Sequence, residues 1–246
     1  MKLNFENMGI KVRTSEKGIY IKGSSHRIPN FKISGDVALF LGLLFGDGWM
    51  TDRKRALVKG DWKIGLVEDD KGVIDIFSEL VKNVFNVKVA LRFRKTYYEA
   101  YFSSRLIYEV LNRTFEFPDG YKFGKLKIPK MINESKELLT PFLRGLFSTD
   151  GKFTIYKNYP RIGLDSATKE FIEEIYIALE NLGFNPRKYT WKRKEGGKLY
   201  GLYLNGKDQV KLFAQKINFV GDKRELLEKY VSSCFNASLG LKPAPS

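Results

Sequence analysis

The chain has 246 residues, 43% of them apolar, and its 43 basic and 28 acidic residues give a formal net charge of +15. This length accommodates one large domain or two small packed ones, and the charge predicts a polyanionic partner, with nucleic acid as the leading candidate. A single cysteine, Cys234, and a single histidine, His26, exclude an internal disulfide and argue against a Cys/His zinc site or a Ser-His-Asp triad.

The N-terminal segment, residues 1–35, is predicted to be an extension with a short hairpin that carries Lys22, His26 and Arg27. Its first residues, MKLNFENMGIKVRT, are too charged for a signal peptide. No apolar run in the chain approaches the ~18 residues that a membrane span requires. We therefore expect a cytoplasmic protein that does not bind a membrane.

A short apolar helix is predicted from Val37 to Gly46. Gly42 and Gly46 stand one helical turn apart, so one face of this helix carries no side-chain bulk. An Asp-Gly pair, Asp47-Gly48, follows the helix directly.

The rest of the first half predicts a helix, a strand and a linker. Apolar residues recur at helical spacing from Val73 to Val84, and residues 87–94 alternate as in a half-buried strand. In that strand the apolar residues are expected to face the core, namely Val87, Val89, Leu91 and Phe93. The turn-rich stretch Phe117 to Gly120 is typical of a linker, and we place the boundary between the halves near residue 134.

The second half repeats the first. Lys63-Ile64-Gly65-Leu66 reappears as Arg161-Ile162-Gly163-Leu164 at an offset of 98, and Phe85-Asn86 reappears as Phe184-Asn185 at an offset of 99. The helix that ends in Asp47-Gly48 reappears before Asp150-Gly151 at an offset of 103, as expected if a few residues were inserted. Such self-similarity predicts two copies of one structural unit.

Each half reads as helix, two strands, helix, two strands, helix, so the predicted fold class is α+β, with two pseudo-symmetric αββαββα repeats and antiparallel sheets. The predicted boundaries are 36–134 for the first repeat, 135–220 for the second, and 221–246 for a C-terminal helix and tail.

The two apolar helices point to a metal site. The second carries Gly145 and Thr149 where the first carries its two glycines. Packing the helices through these small residues would bring Asp47 and Asp150 together at the helix C-termini. That arrangement is unfavourable, because each carboxylate faces the negative end of a helix dipole and a second like charge. A divalent cation relieves both problems.

The segments 40–48 (FLGLLFGDG) and 143–151 (LRGLFSTDG) resemble the two signature helices of the LAGLIDADG homing endonucleases of the single-chain, intron-encoded type. The order of elements extends the resemblance over roughly residues 36–230. It implies a monomer that lays a four-stranded sheet from each half on double-stranded DNA. It also implies that Asp47 and Asp150 bind Mg²⁺ or Mn²⁺ for phosphodiester hydrolysis.

The resemblance implies a basic residue near each scissile phosphate. In a Lys-x-Ile-Pro-like segment Lys127 is the preferred candidate, with Lys125 second, and by pseudo-symmetry Lys223 is its partner. Where relatives often carry glutamine or lysine at the end of the second strand, this chain has Glu68 and Ser166, which leaves a water-orienting role there open.

The basic strand faces are predicted to contact DNA, since arginine makes bidentate contacts with guanine and phosphate contacts add affinity. The predicted DNA-binding residues are Arg53, Lys63, Lys88, Arg92, Arg94, Arg161, Arg187, Tyr189 and Arg193.

Two other functions remain open at this point. An RNA maturase that assists intron splicing would retain the fold and the basic faces, and intron RNA would then be a partner. A DNA-binding regulator that has lost catalysis is expected to lack an acid, whereas both Asp-Gly pairs are intact. An intein is disfavoured, because no splicing domain is recognised and residues 242–246 contain no His-Asn pair.

Overall fold

The computed structural model describes residues 5, 9–22, 24, 27–29, 32–157, 159–192 and 197–238, with side chains up to residue 234. Two residues singled out from the sequence, His26 and Arg193, lie outside the described residues. The elements, in chain order, are β1 (Val12–Ser15), β2 (Gly18–Ile21), α1 (Gly35–Asp47), β3 (Gly48–Met50), α2 (Arg53–Lys59), β4 (Lys63–Glu68), α3 (Lys71–Phe85), β5 (Ala90–Arg94), β6 (Tyr97–Ser103), α4 (Arg105–Thr114), α5 (Lys130–Asn133), α6 (Lys136–Thr149), β7 (Gly151–Tyr156), β8 (Tyr159–Ser166), α7 (Lys169–Asn181), β9 (Arg187–Lys192), β10 (Lys198–Asn205), α8 (Lys207–Lys216) and α9 (Asp222–Ser238).

The two halves form matching four-stranded antiparallel sheets, with strand order β3-β4-β6-β5 in the first and β7-β8-β10-β9 in the second. Their registers correspond. Gly65 in the first sheet pairs with Tyr101, and Gly163 in the second pairs with Tyr203. The predicted fold class, α+β with two repeated units, is confirmed.

Helices cover one face of each sheet. α3 packs against β4 and β6, and α7 and α8 pack against β8 and β10. Apolar side chains of alternate strand positions point into this layer, for example Ile64 and Phe102 in the first half and Leu164 and Leu202 in the second, all buried. The opposite faces of both sheets therefore stay free for a ligand.

Two details depart from the predicted elements. An extra short helix, α2, separates β3 from β4, because the Asp52 side chain accepts hydrogen bonds from the backbone N–H groups of Lys54 and Arg55 and so caps it. The predicted inward positions Leu91 and Phe93 are 49% and 61% exposed. That expectation was wrong because β5 is the outermost strand of its sheet.

The predicted N-terminal hairpin is present as β1 paired with β2. Arg27 stacks on the ring of Tyr20, with its Cζ 3.6 Å from the ring centroid. No described helix combines the length and the apolar character needed to cross a membrane.

Candidate active site

The centre of the molecule is the contact between α1 and α6. A Cβ atom added at Gly42 would overlap the carbonyl oxygen of Phe142, and one added at Gly145 would overlap the carbonyl oxygen of Leu39. A Cβ at Gly46 would likewise overlap the side chain of Thr149. The two helices therefore touch through their backbones, at the small residues that the sequence singles out.

The Asp-Gly pairs lie where these helices end. α1 runs directly into β3 and α6 into β7, and a Cβ at Gly48 or Gly151 would overlap the last turn of the preceding helix. Glycine is needed at both positions because the chain passes so close to that turn. Each aspartate thus stands between the end of its helix and the first strand of its sheet, and the two lie close enough for the charge of Asp47 to act on Asp150.

The two carboxylates perturb each other. Burial and the charge of Asp47 raise the pKa of Asp150 to about 7. Asp47 stays accessible to solvent. Even so, the surrounding protein atoms displace water from its carboxylate and raise its pKa above the ordinary value, an effect that Lys122 and Lys223 oppose. Raised acid pKa values at one point of a cleft are typical of a functional site.

Lys122 and Lys223 occupy matching positions at the two helix ends. The Lys122 ammonium donates to the carbonyl of Gly46, at the end of α1. The Lys223 ammonium donates to the carbonyl oxygens of Ser148 (2.7 Å) and Thr149 (2.8 Å), at the end of α6. Each lysine thus neutralises one negative helix terminus, and their charges act on both aspartates.

Lys122, and not Lys127, is the lysine that lies at the end of α1. Lys127 is exposed, and it is not among the charges that act on Asp47 or Asp150. Lys122 and Lys223 are offset by 101 residues, within the 98–103 range of the other repeats, whereas Lys127 and Lys223 are offset by 96. The offset of the internal repeat therefore indicated Lys122, whereas the Lys-x-Ile-Pro resemblance indicated Lys127.

Glu68 also belongs to this site, at the end of β4. It is 8% exposed, and its Oε1 accepts a hydrogen bond from the backbone N–H of Asp69 at 3.0 Å. Burial and the neighbouring carboxyl groups of Asp69 and Asp47 raise the pKa of Glu68 to about 8. In the second half Ser166 occupies the corresponding strand end, and its hydroxyl accepts from the N–H of Thr168.

The donor set fits a hard divalent cation. Among the described residues, no three His, Cys, Asp or Glu side chains form a preassembled metal cluster. Mg²⁺ is commonly held by only one or two carboxylates together with water and substrate phosphate, which matches the two neighbouring aspartates. Asp47 and Asp150 are the residues that would hold it, and a cation would offset the repulsion that raises the pKa of Asp150.

The free face of the first sheet is basic and aromatic. The Arg92 guanidinium lies 4.8 Å and the Lys63 ammonium 5.7 Å from the ring centroid of Tyr101. Arg94 lies 3.7 Å from Glu99, within ion-pair distance. A cavity of about 410 Å³ on this face is lined by Lys63, Arg92, Glu99, Tyr101 and Trp49, among others.

The second sheet carries a matching face with more aromatic side chains. The Arg161 guanidinium lies 4.8 Å from the centroid of the Tyr203 ring, which Tyr189 contacts edge-on at 5.0 Å. Arg187 pairs with Tyr203 across neighbouring strands of this sheet. Trp191 stacks on Tyr203 at 6.4 Å.

Two predicted DNA contacts are placed elsewhere. Arg53 lies at the start of α2 and donates to both carboxylate oxygens of Glu109 at 3.1 Å and to Asn112, so it ties α2 to α4. Lys88 is exposed but precedes β5, beside the end of α3, and borders a separate cavity. The geometry thus gives Arg53 a structural partner and removes Lys88 from the strand face.

Comparison with known proteins agrees with this geometry. Residues 137–218 match the model of the LAGLIDADG-like domain. This segment begins in α6, ahead of Asp150, and extends to the end of α8.

Relatives in sequence are much longer proteins. The chain is 30% identical over 199 residues to the probable translation initiation factor IF-2 of Methanocaldococcus jannaschii, a match that covers 78% of this chain and 16% of that protein. It is 26% identical over 196 residues to a DNA polymerase of Thermococcus hydrothermalis, covering 75% of this chain and 11% of that protein. The chain therefore spans only a small segment of each.

Solved structures share the fold. A variant of the homing endonuclease I-DmoI superposes with a TM-score of 0.58 at 20% identity, covering 79% of this chain and 97% of that one. I-DmoI in complex with DNA and Mn superposes with a TM-score of 0.55 at 21% identity, covering 76% of this chain and 97% of that one. The chain thus has the fold of I-DmoI.

Proposed function

We propose that the chain is a site-specific homing endonuclease that makes a double-strand break in a long DNA target by metal-dependent phosphodiester hydrolysis. One observation supports this above all: Asp47 and Asp150, both with raised pKa values, meet between two open basic faces. The fold shared with I-DmoI, a homing endonuclease seen with DNA and Mn, supports the same reaction.

The side chains divide the work as follows. Arg92 and Arg161, with the aromatic residues beneath them, bind and orient the duplex across both sheets. Divalent cations held by Asp47 and Asp150 would supply an activated water and neutralise charge on the phosphate. Lys122 and Lys223 hold positive charge at the two helix ends, where a scissile phosphate would add negative charge.

The active species is a monomer in this proposal, because both acid-bearing helices and both sheets belong to one chain. Sedimentation of the protein bound to one duplex target tests this. We expect one chain per site, and an obligate dimer on a single site would contradict it.

The sequence relatives indicate the kind of genetic element that encodes such a chain. Similar segments occupy 16% and 11% of two proteins whose names imply unrelated functions. We infer a mobile element that is inserted into host genes. The sequence analysis favoured an intron-encoded type, and the relatives leave both an intron and an intein open. The reading frame on either side of the coding sequence would decide between them.

The test is cleavage of a plasmid library of randomised sites in Mg²⁺, followed by sequencing of the ends. We expect linear products whose ends share one long sequence. Asp47→Asn prepared in parallel controls for contaminating nucleases. Absence of cleavage across the library, together with preferential binding of structured intron RNA over duplex DNA, would favour the maturase instead.

A further inference from the structure

The buried carboxylate of Glu68 has one oxygen without a protein partner. Oε1 accepts a hydrogen bond from the Asp69 backbone, whereas Oε2 is inaccessible to solvent and makes no hydrogen bond to the described residues. The side chain as a whole is more than nine-tenths buried. A buried acceptor left unpaired destabilises the fold, so its presence calls for a ligand.

The neighbour of this carboxylate is Asp47. Their side chains lie within hydrogen-bonding reach of each other, and the charge of Asp47 acts on Glu68. Two carboxylate groups that face each other contain only acceptors when ionised, so a proton or a cation must stand between them. Lys223 acts on both but donates its hydrogen bonds to the carbonyls of Ser148 and Thr149.

The second half lacks this arrangement. Ser166 stands at the position of Glu68 and is neutral, and its hydroxyl accepts from Thr168 at 3.1 Å. The charged side chains that act on Asp150 are Asp47 and three lysines, with no further carboxylate. The Asp47 end of the site therefore has neighbouring carboxyl groups, from Glu68 and Asp69, that have no counterpart among the groups acting on Asp150.

We propose that Glu68 is a cation ligand of the first half, so that the Asp47 end of the site binds a divalent cation more tightly than the Asp150 end. This rests on the proposed function. The Asp47 end offers two carboxylates as hard oxygen ligands, from Asp47 and Glu68, whereas the Asp150 end offers one. At limiting metal the strand served by the Asp47 end is therefore cut first.

Mn²⁺ binding to the full chain tests this without reference to activity. The electron paramagnetic resonance signal of free Mn²⁺ is followed as metal is added to wild type, Glu68→Gln and Glu79→Gln. Glu79 is an exposed residue of α3, so its variant is a matched control for the loss of one charge. A gain-of-charge variant, Ser166→Glu, covers the case in which Glu68→Gln fails to fold.

We expect wild type and Glu79→Gln to bind Mn²⁺ in two classes of unequal affinity. Glu68→Gln should weaken the tighter class by about tenfold or more, and Ser166→Glu should strengthen the weaker class. The inference is overturned if wild type shows one class, or if Glu68→Gln binds as wild type does. If that happens while the plasmid assay still shows cleavage, only the inference fails; loss of both Mn²⁺ binding and cleavage in wild type sinks the proposed function as well.

Discussion

The first sheet places Arg92 opposite Glu99, whereas the second places Tyr189 opposite Gly201 at the corresponding pair. The central pair differs as well: Tyr101 faces Ala90 in the first half, and Tyr203 faces Arg187 in the second. The buried layers beneath these faces are similar, and a glycine lies beside each central tyrosine. Packing therefore constrains the core of both copies, while the exposed faces are free to differ.

The two halves therefore share their packing geometry and differ in the exposed side chains to which the proposed function assigns DNA recognition. A charged pair such as Arg92 and Glu99 offers both donors and acceptors to base edges. The aromatic layer of the second half, Tyr189, Tyr203 and Trp191, offers flat apolar surface instead. We expect a target whose two half-sites differ in sequence.

The largest expected effect comes from the two aspartates, one from each half. Asp47→Asn and Asp150→Asn should each abolish or severely reduce cleavage, because a neutral amide replaces a carboxylate metal ligand poorly. Binding of the duplex in the absence of metal should persist. A nicking assay paired with filter binding measures both, and full cleavage by either variant would contradict the two-aspartate mechanism.

The two lysines test whether the halves contribute equally. Lys122→Met and Lys223→Met should each slow cleavage by about 10²-fold, since each removes a charge placed where negative charge develops. Lys127→Met should cleave within about twofold of wild type, because its side chain is exposed and away from the aspartates. Single-turnover rates decide, and a large loss in Lys127→Met would restore the sequence-based choice.

The helix contact tests the shared geometry. Gly42→Ala should destabilise the fold by about 3 kcal/mol, because the new methyl group overlaps the Phe142 carbonyl. Gly35→Ala, in the first turn of the same helix, is the control, since its methyl would lie 3.8 Å from Pro141. We expect it to be neutral or stabilising by up to about 1 kcal/mol. Urea denaturation measures both, and equal midpoints would exclude close backbone packing.

The recognition faces test the divergence. Arg92→Ala should weaken binding by about 1–3 kcal/mol and relax base preference in one half-site only, with the other unchanged. Arg161→Ala should do the same in the other half-site. Binding selection on a library randomised in both half-sites separates these effects. A uniform loss across all sequences would mean that the arginines contact only phosphate.

The smallest effect is on stability and depends on pH. The pKa of Asp150 is raised to about 7 in the folded chain, so the folded state binds a proton more readily than the unfolded state. Its contribution to stability is therefore greatest at low pH and falls as pH rises from about 4 to about 7. In EDTA, melting temperature should fall less over this window in Asp150→Asn than in wild type, and the variant should melt no lower than wild type at pH 8.

The predicted repeat is confirmed, because the sequence patterns that indicate it are local. The two apolar helices with small residues one turn apart and the two Asp-Gly pairs are each visible within a few residues, and these short patterns recur at a nearly constant offset. These patterns are dictated by backbone contact and by the immediate helix-to-strand step, so they survive in the sequence. By themselves they determined the α+β fold, the helix pairing and the placement of Asp47 and Asp150.

Only the tertiary structure decided which other side chains reach the aspartates. Lys122 and Lys127 lie in one loop, and its path past α1 determines which of them meets the helix end. Glu68 is an ordinary strand residue in sequence, and its burial beside Asp47 depends on how β4 meets α1. Arg53 is basic like its neighbours, but Glu109 from a distant helix holds it. Contacts between residues far apart in the chain depend on the packing of whole elements, which local sequence patterns do not encode.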